Sequence, residues 1–216
     1  AADPLEEFTN DFGAIEFTRD AAASRSGSGA RQQVNTVSSY LDAWNVYGGT
    51  NERLEWLREG PVDGNLANNG PHLLLDADGN LPRRDERGDS STAPAMDLMG
   101  RLTGTTDEAA VAGDVRANEN IGLTAIHTLF AREHNRIVDR LPASLGAQRR
   151  FDIARRVVMA EQQYITYREF LPAVGITLPR YRGYDPRVDA TVSNEFATVG
   201  YRAHSMIHGE FEAEVG

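Results

Sequence analysis

The chain contains no cysteine. That excludes disulfides, thiolate metal sites and cysteine nucleophiles together. No apolar run approaches the roughly 18 residues of a membrane span. The opening residues, AADPLEEF, are acidic and polar, so no signal peptide is expected within the sequence. Positive charge is in deficit: 22 basic residues stand against 32 acidic ones, a net charge of −10. A nucleic-acid partner is therefore not expected, because phosphate binding needs a basic face. There is no HExxH sequence to support a zinc protease of that type, and no internal repeat. What is present is the make-up of one sizeable globular domain: 216 residues, 40% hydrophobic and 25% charged.

The two halves differ. Ala21 to Gln32 is small and polar and reads as an exposed loop. Val34 to Tyr47 reads as a short helix or ordered turn, and Asn51 to Glu59 as a short amphipathic helix. From Gly60 to Thr106 the density of Gly, Pro, Asp and Asn predicts irregular connections, with a small hairpin at Asp76 to Asn80. The second half is helical. Glu119 to about Leu141 places Leu123, Ile126, Phe130, Ile137 and Leu141 near one stripe. Gln148 to about Leu171 repeats the pattern through Phe151, Ala154, Val157, Val158, Tyr164 and Ile165, with Pro172 as its stop. A third helix is expected from Asp189 to about Gly209. The class is mainly α, with long irregular loops and little sheet.

Five histidines are the first places to look for chemistry. His127 and His134 read as helix-face histidines satisfied by neighbours, and His72 as a loop residue. His204 and His208 lie four apart on one helix face. They suit a metal pair with Glu210 or Glu212, a core-facing His204 that ligates iron under a flat cofactor, or two histidines without a ligand role. The stretch GDVRANEN holds Arg116 and Glu119 three residues apart just before a helix. An acid there favours the helix N-terminus. A cation opposes it and needs a partner, a bound anion or polar substrate being one candidate.

GDVRANENIGLTAIHTLFAREHNRI, Gly113 to Ile137, resembles the signature of the animal-type haem peroxidases, the peroxidase–cyclooxygenase superfamily. The resemblance continues through YITYREFLPAVG, Tyr164 to Gly175, and VSNEFATVGYRAHSMIHGEF, Val192 to Phe211. An upstream block, SSYLDAWNVYGG, Ser38 to Gly49, is similar to a further family motif. These blocks stand in the family's order and cover most of the chain. The absence of cysteine is what a bacterial member would show.

The resemblance implies a haem-peroxidase helical fold and the reduction of hydrogen peroxide coupled to oxidation of a halide or a small organic donor. A secreted location and a part in the response to oxidative stress go with it. Arg116 matches the distal arginine, which stabilises negative charge developing on the departing peroxide oxygen. Glu119 matches a glutamate that forms an ester with a haem methyl group, so haem b linked in that way is expected. At the next position Asn120 stands where some members carry a methionine linked through sulfur. His204 matches the proximal ligand of the haem iron, and His208 then has no ligand role. Ser38, Tyr40 and Asp42 match part of a calcium-binding loop rich in oxygen donors, although Trp44 stands where a hydroxyl residue is usual.

None of the five histidines matches the family's distal histidine. That residue is expected upstream, and the asparagine that orients the proximal histidine downstream of Glu210. Residues 1–216 are therefore expected to form one partial catalytic domain, partnered by its remaining segments or chains. A fatty-acid dioxygenase of the same superfamily, with Tyr201 as its radical site, and a haem-binding or adhesion module with an incomplete site are the competing expectations.

Overall fold

The structure, a computed structural model, describes residues 23, 32–98 and 100–200. Tyr201, His204, His208, Glu210 and Glu212 lie outside the described residues, as does the part of the expected helix beyond residue 200. The chain forms two compact units, one of residues 41–182 and one of residues 1–40 with 183–216. In the second of these, the Ser193 hydroxyl accepts from Phe196 N–H at 3.2 Å and leads into a π-helical turn, Phe196–Gly200. Residues 189–193 are not helical, so the expected start at Asp189 is corrected to the turn behind Ser193.

The unit of residues 41–182 carries α1 (Trp44–Tyr47), α2 (Asn51–Leu57), α3 (Ile121–Arg140) and α4 (Ala147–Tyr164). The starts of α2 and α3 are set by local capping. Thr50 accepts from Arg53 N–H at 3.2 Å ahead of α2, and Asn120 accepts from Leu123 N–H at 2.9 Å ahead of α3. Beyond α4 the helix widens into a π turn, Ile165–Phe170, and closes at Leu171–Ala173. The widened turn precedes Pro172, which lacks the N–H an ordinary turn would use. The Val34–Tyr47 helix shrinks to α1. No hairpin forms at Asp76 to Asn80. Instead Asp76 closes a tight turn on itself, its carboxylate accepting from the N–H groups of Asp78 and Asn80 at 2.9 and 2.7 Å. Isolated antiparallel bridges pair Arg58 with Leu73 and Arg83 with Ala110.

α3 and α4 are joined by residues 141–146 and pack as an antiparallel pair. On α4 the buried positions are Phe151, Ala154 and Val158, as the periodicity predicts, but Val157, Tyr164 and Ile165 stay partly or fully exposed. On α3 the buried stripe is His127, Ala131, His134 and Val138, rotated from the expected one; Ile126 is 51% exposed. The apolar periodicity misses this stripe because half of it is polar.

His134 explains the rotation. Its Nε2–H donates to Pro71 O at 3.0 Å. A carbonyl can only accept, so Nδ1 carries the lone pair and accepts from the Tyr47 hydroxyl at 2.8 Å. The ring is fully buried, edge-on to Tyr47 and 4.9 Å from the Phe151 ring. One imidazole thus joins α1, α3, α4 and the loop at Pro71. Burial raises the Tyr47 phenol and pushes the His134 imidazole down to about 4, holding it neutral.

Between α2 and α3 the chain is irregular, and its backbone needs other partners. All 22 basic residues are arginine, and several serve this need. Arg58, 1% exposed, donates to Gly70 O through Nε at 3.0 Å and Nη2 at 2.7 Å, and stacks 4.1 Å over the Phe151 ring. Arg87 donates to the carbonyls of Trp56, Arg58 and Gly60. Arg53 donates to Ala95 O at 2.6 Å and Ala112 O at 2.8 Å. Glu55 does the complementary work, one oxygen accepting from the N–H groups of Asp63, Gly64 and Asn65 at 2.8–3.0 Å. Asn135 on α3 brackets Leu73, accepting from its N–H at 2.7 Å and donating to its carbonyl at 2.9 Å. The five planar N–H groups of arginine reach two or three carbonyls at once, which a lysine ammonium on its flexible stem does less well.

The neutral His134 makes stability depend on pH. The unfolded histidine titrates near its ordinary value of 6.5 and the folded one near 4. The contribution of His134 to stability is level above pH 6.5. It falls as the pH drops below that, because the unfolded chain takes up a proton that the folded one refuses, and the loss is complete near pH 4. The shift corresponds to about 3 kcal/mol. His134→Gln keeps a donor and an acceptor but does not titrate. Urea unfolding at pH 7 and pH 4.5 is expected to show a smaller pH loss in this variant than in the parent.

Candidate active site

The turn ahead of α3 is braced from several sides. Ala110 and Asn118 pair like two strand residues: Ala110 N–H donates to Asn118 Oδ1 at 3.0 Å, and Asn118 Nδ2 donates to Ala110 O at 2.9 Å. Val111 N–H donates to Pro82 O at 2.8 Å. Gly113 passes so close beneath α1 that a Cβ there would overlap Trp44 O and Gly48 N and lie 2.7 Å from Tyr47 N. Asp114 N–H donates to Asn45 O at 3.2 Å, and Asp97 N–H to Val115 O at 2.9 Å. Ala117 is fully buried, and its carbonyl accepts from the Thr124 hydroxyl at 2.7 Å.

Arg116 and Glu119 project from this turn and are exposed. They share one backbone bond, Glu119 N–H to Arg116 O at 3.0 Å. Neither caps α3; that role belongs to Asn120, and no acid lies in the first turn. Glu119 lies just outside the helix. A partner for Arg116 is Asp114, whose carboxylate takes Arg116 Nε at 2.9 Å and Nη2 at 2.7 Å. Burial works to raise the Asp114 carboxyl, but the side-chain and backbone hydrogen bonds from Arg116 outweigh it, so it titrates below its usual range. Asp114 is the residue the sequence reading passed over. The signal was partial: Asp-x-Arg recurs at Asp185 and Arg187 with the same bonding, but also at Asp85 and Arg87, where the arginine holds backbone carbonyls instead.

The other candidates are placed one by one. Ser38 is half-buried, and its hydroxyl accepts from Tyr40 N–H at 3.1 Å; Tyr40 is exposed. Asp42 accepts from Trp44 N–H at 3.2 Å. The described residues contain no group of three or more His, Asp or Glu side chains arranged to hold a metal ion. His127 is 5% exposed and its Nδ1 meets Leu123 O at 2.6 Å, so Nδ1–H donates and Nε2 keeps a lone pair, with no hydrogen-bond partner among the described residues. His72 is more than a plain loop residue: it stands between Glu59 Oε2 at 3.2 Å and Asp139 Oδ1 at 2.8 Å. An apolar groove of about 730 Å³ runs between α3 and α4, and neither Arg116 nor Glu119 lines it. No helix among the described residues is long and apolar enough to cross a membrane.

A mainly helical protein with a braced irregular segment, presenting an arginine and a glutamate from one turn, is the class defined so far. The chain belongs to the animal haem peroxidase family, whose model matches residues 1–214. It is 34% identical to "Peroxidasin homolog pxn-2" of Caenorhabditis elegans, over 90% of this chain and 15% of that protein. It is 37% identical to "Peroxidasin homolog" of Mus musculus, over 82% of this chain and 12% of that protein. Against "Thyroid peroxidase" of Sus scrofa the identity is 36%, over 95% of this chain and 24% of that protein. The chain thus spans less than a quarter of the length of these relatives.

Gly113→Ala tests the bracing. The added methyl group meets backbone atoms of α1, which cannot turn aside as a flexible side chain would. The variant is expected to lose about 3 kcal/mol of unfolding free energy, the upper end of the usual overpacking penalty. Urea denaturation followed by circular dichroism gives the measurement.

Proposed function

We propose that this protein is part of a haem-dependent peroxidase, reducing hydrogen peroxide and oxidising a halide or a small organic donor. The supporting observation is the turn ahead of α3, which fixes Arg116 and Glu119 from behind while leaving both side chains exposed. The side chains fit the group the family name implies: a carboxylate able to meet a porphyrin rim and a permanent cation beside it. Haem, when bound, supplies the iron at which peroxide is reduced. His204 is the proposed proximal ligand and Glu119 the proposed point of ester attachment. Arg116 holds its positive charge at any working pH, so its task is electrostatic. Its N–H groups orient the peroxide and meet the negative charge that develops on the leaving oxygen. It is too weak a base to take the peroxide proton, which falls to another group of the complete domain.

Residues 1–216 are, on this reading, the central part of a larger catalytic domain. Calcium at Ser38, Tyr40 and Asp42 and an extracellular place of action belong to the same proposal. Glu119 favours the peroxidase over a fatty-acid dioxygenase, because it offers the carboxylate for an ester link.

Haem titration followed by the Soret band is the direct test, with hydrogen peroxide consumption in the presence of iodide or guaiacol as the activity. His204→Ala is expected to abolish the ferric-haem ligand spectrum; an unchanged spectrum would show the wrong histidine was chosen. Glu119→Gln is expected to render the haem extractable by acidified acetone. Arg116→Ala is expected to slow peroxide reduction roughly 10²–10³-fold, as for loss of one donor aimed at developing charge. A protein that takes up no haem would overturn the proposal.

A further inference from the structure

We propose that Asp114 is a positioning residue for Arg116, fixing the plane and direction of its guanidinium from a buried mount. This rests on the peroxidase reading of Arg116. Three bonds join the two residues: Arg116 N–H to Asp114 Oδ1 at 2.9 Å, Nε to Oδ1 at 2.9 Å and Nη2 to Oδ2 at 2.7 Å. The two side-chain bonds run from one edge of the guanidinium to one carboxylate, so they set its plane as well as its distance.

The same three bonds join Asp185 and Arg187, at 3.0, 2.9 and 2.8 Å, whereas Arg87, two residues after Asp85, turns to the carbonyls of Trp56 and Gly60, so the spacing permits the pairing without fixing it. The difference lies in what holds the acid. The Asp185 and Arg187 side chains are 41% and 87% exposed, so the acid of that pair is far less covered. Asp114 is 13% exposed while Arg116 is 44% exposed: the root is covered and the head looks out. The covering is rigid. Asp114 N–H is tied to Asn45 O, Gly113 is wedged beneath α1, and Ala112 O is held by Arg53 Nη1 at 2.8 Å. Arginine loses less freedom on binding when its fork is already held, so a fixed mount lowers the cost of aligning its donors on a reacting oxygen.

Asp114 has a second effect on the same site. Its charge offsets that of Arg116, so the pair presents oriented N–H dipoles with little net attraction for anions. A neutral residue at 114 would loosen the guanidinium and remove one negative charge that offsets it. Peroxide alignment and anion affinity should then change in opposite directions, which a simple loss of folding would not produce.

The test uses Asp114→Asn, which keeps an oxygen to accept Arg116 N–H but loses the charge, alongside Asp114→Glu and Arg116→Ala. In the 216-residue chain, NMR of arginine Nε–H groups is expected to show one slowly exchanging signal lost in both Asp114→Asn and Arg116→Ala, with helical circular dichroism retained. In the haem-loaded protein, Asp114→Asn is expected to slow the reaction with hydrogen peroxide roughly 10- to 100-fold, as for a misplaced reacting group. Azide is expected to bind that variant more tightly than the parent, and Asp114→Glu to recover part of the peroxide rate. If Arg116→Ala slows peroxide reduction and Asp114→Asn does not, the positioning role is overturned and the peroxidase reading stands. If Arg116→Ala leaves peroxide reduction unchanged, the role given to Arg116 falls and the positioning role with it.

Discussion

Buried carbonyls without a sheet or helix to pair them are the constraint on which this structure turns. An unpaired polar group away from water costs on the order of 1–3 kcal/mol, and the segment between α2 and α3 would contribute many. Side chains answer that demand, and most of the long-range ones are arginines. Arg58 is the centre of the arrangement. It holds the Gly70 carbonyl, reaches Gln148 on α4 at 3.0 Å and covers the Phe151 ring. With Arg53 and Arg87 it converts an irregular segment into a braced one. A chain whose cations are all arginine is chemically suited to this, since each fork spans several acceptors in one plane.

The same bracing makes the turn ahead of α3 useful. Side chains that act on a small reactant must hold their direction, and a turn pinned at Ala110, Gly113, Asp114 and Ala117 gives its projecting residues little freedom. His134 sits behind this region as a neutral peg linking α1 to α3 and α4. Its burial makes folding sensitive to acid, whereas Arg116 keeps its charge throughout that range. Acid therefore weakens folding through His134 without changing the charge on Arg116.

Much of the site was legible in the sequence. Arg116 and Glu119 stood out because a cation and an anion three apart at a helix start demand a reason, and the surrounding residues resemble a known signature. Asp114 was equally visible as part of a repeated Asp-x-Arg pattern, yet periodicity directs attention to helices and the pairing belongs to a turn. The stripe on α3 was misread for a related reason. Apolar periodicity chose Ile126 and passed over His127 and His134, because a histidine enters a core only when its nitrogens find partners. Those partners, Tyr47 and Pro71, are more than 60 residues away in sequence.

What the sequence determined by itself is local: the caps at Thr50 and Asn120, the helices behind them, and the family these motifs define. Each depends on groups within a few residues, whose distances the backbone dihedrals restrict. Tertiary structure alone decided which carbonyls the arginines would hold, which face of α3 would be buried and how closely Gly113 would pass beneath α1. Those contacts join positions 12 to 87 residues apart. Their partners are chosen by how the irregular segment closes on the helices, and irregular backbone has no period from which that closure could be read.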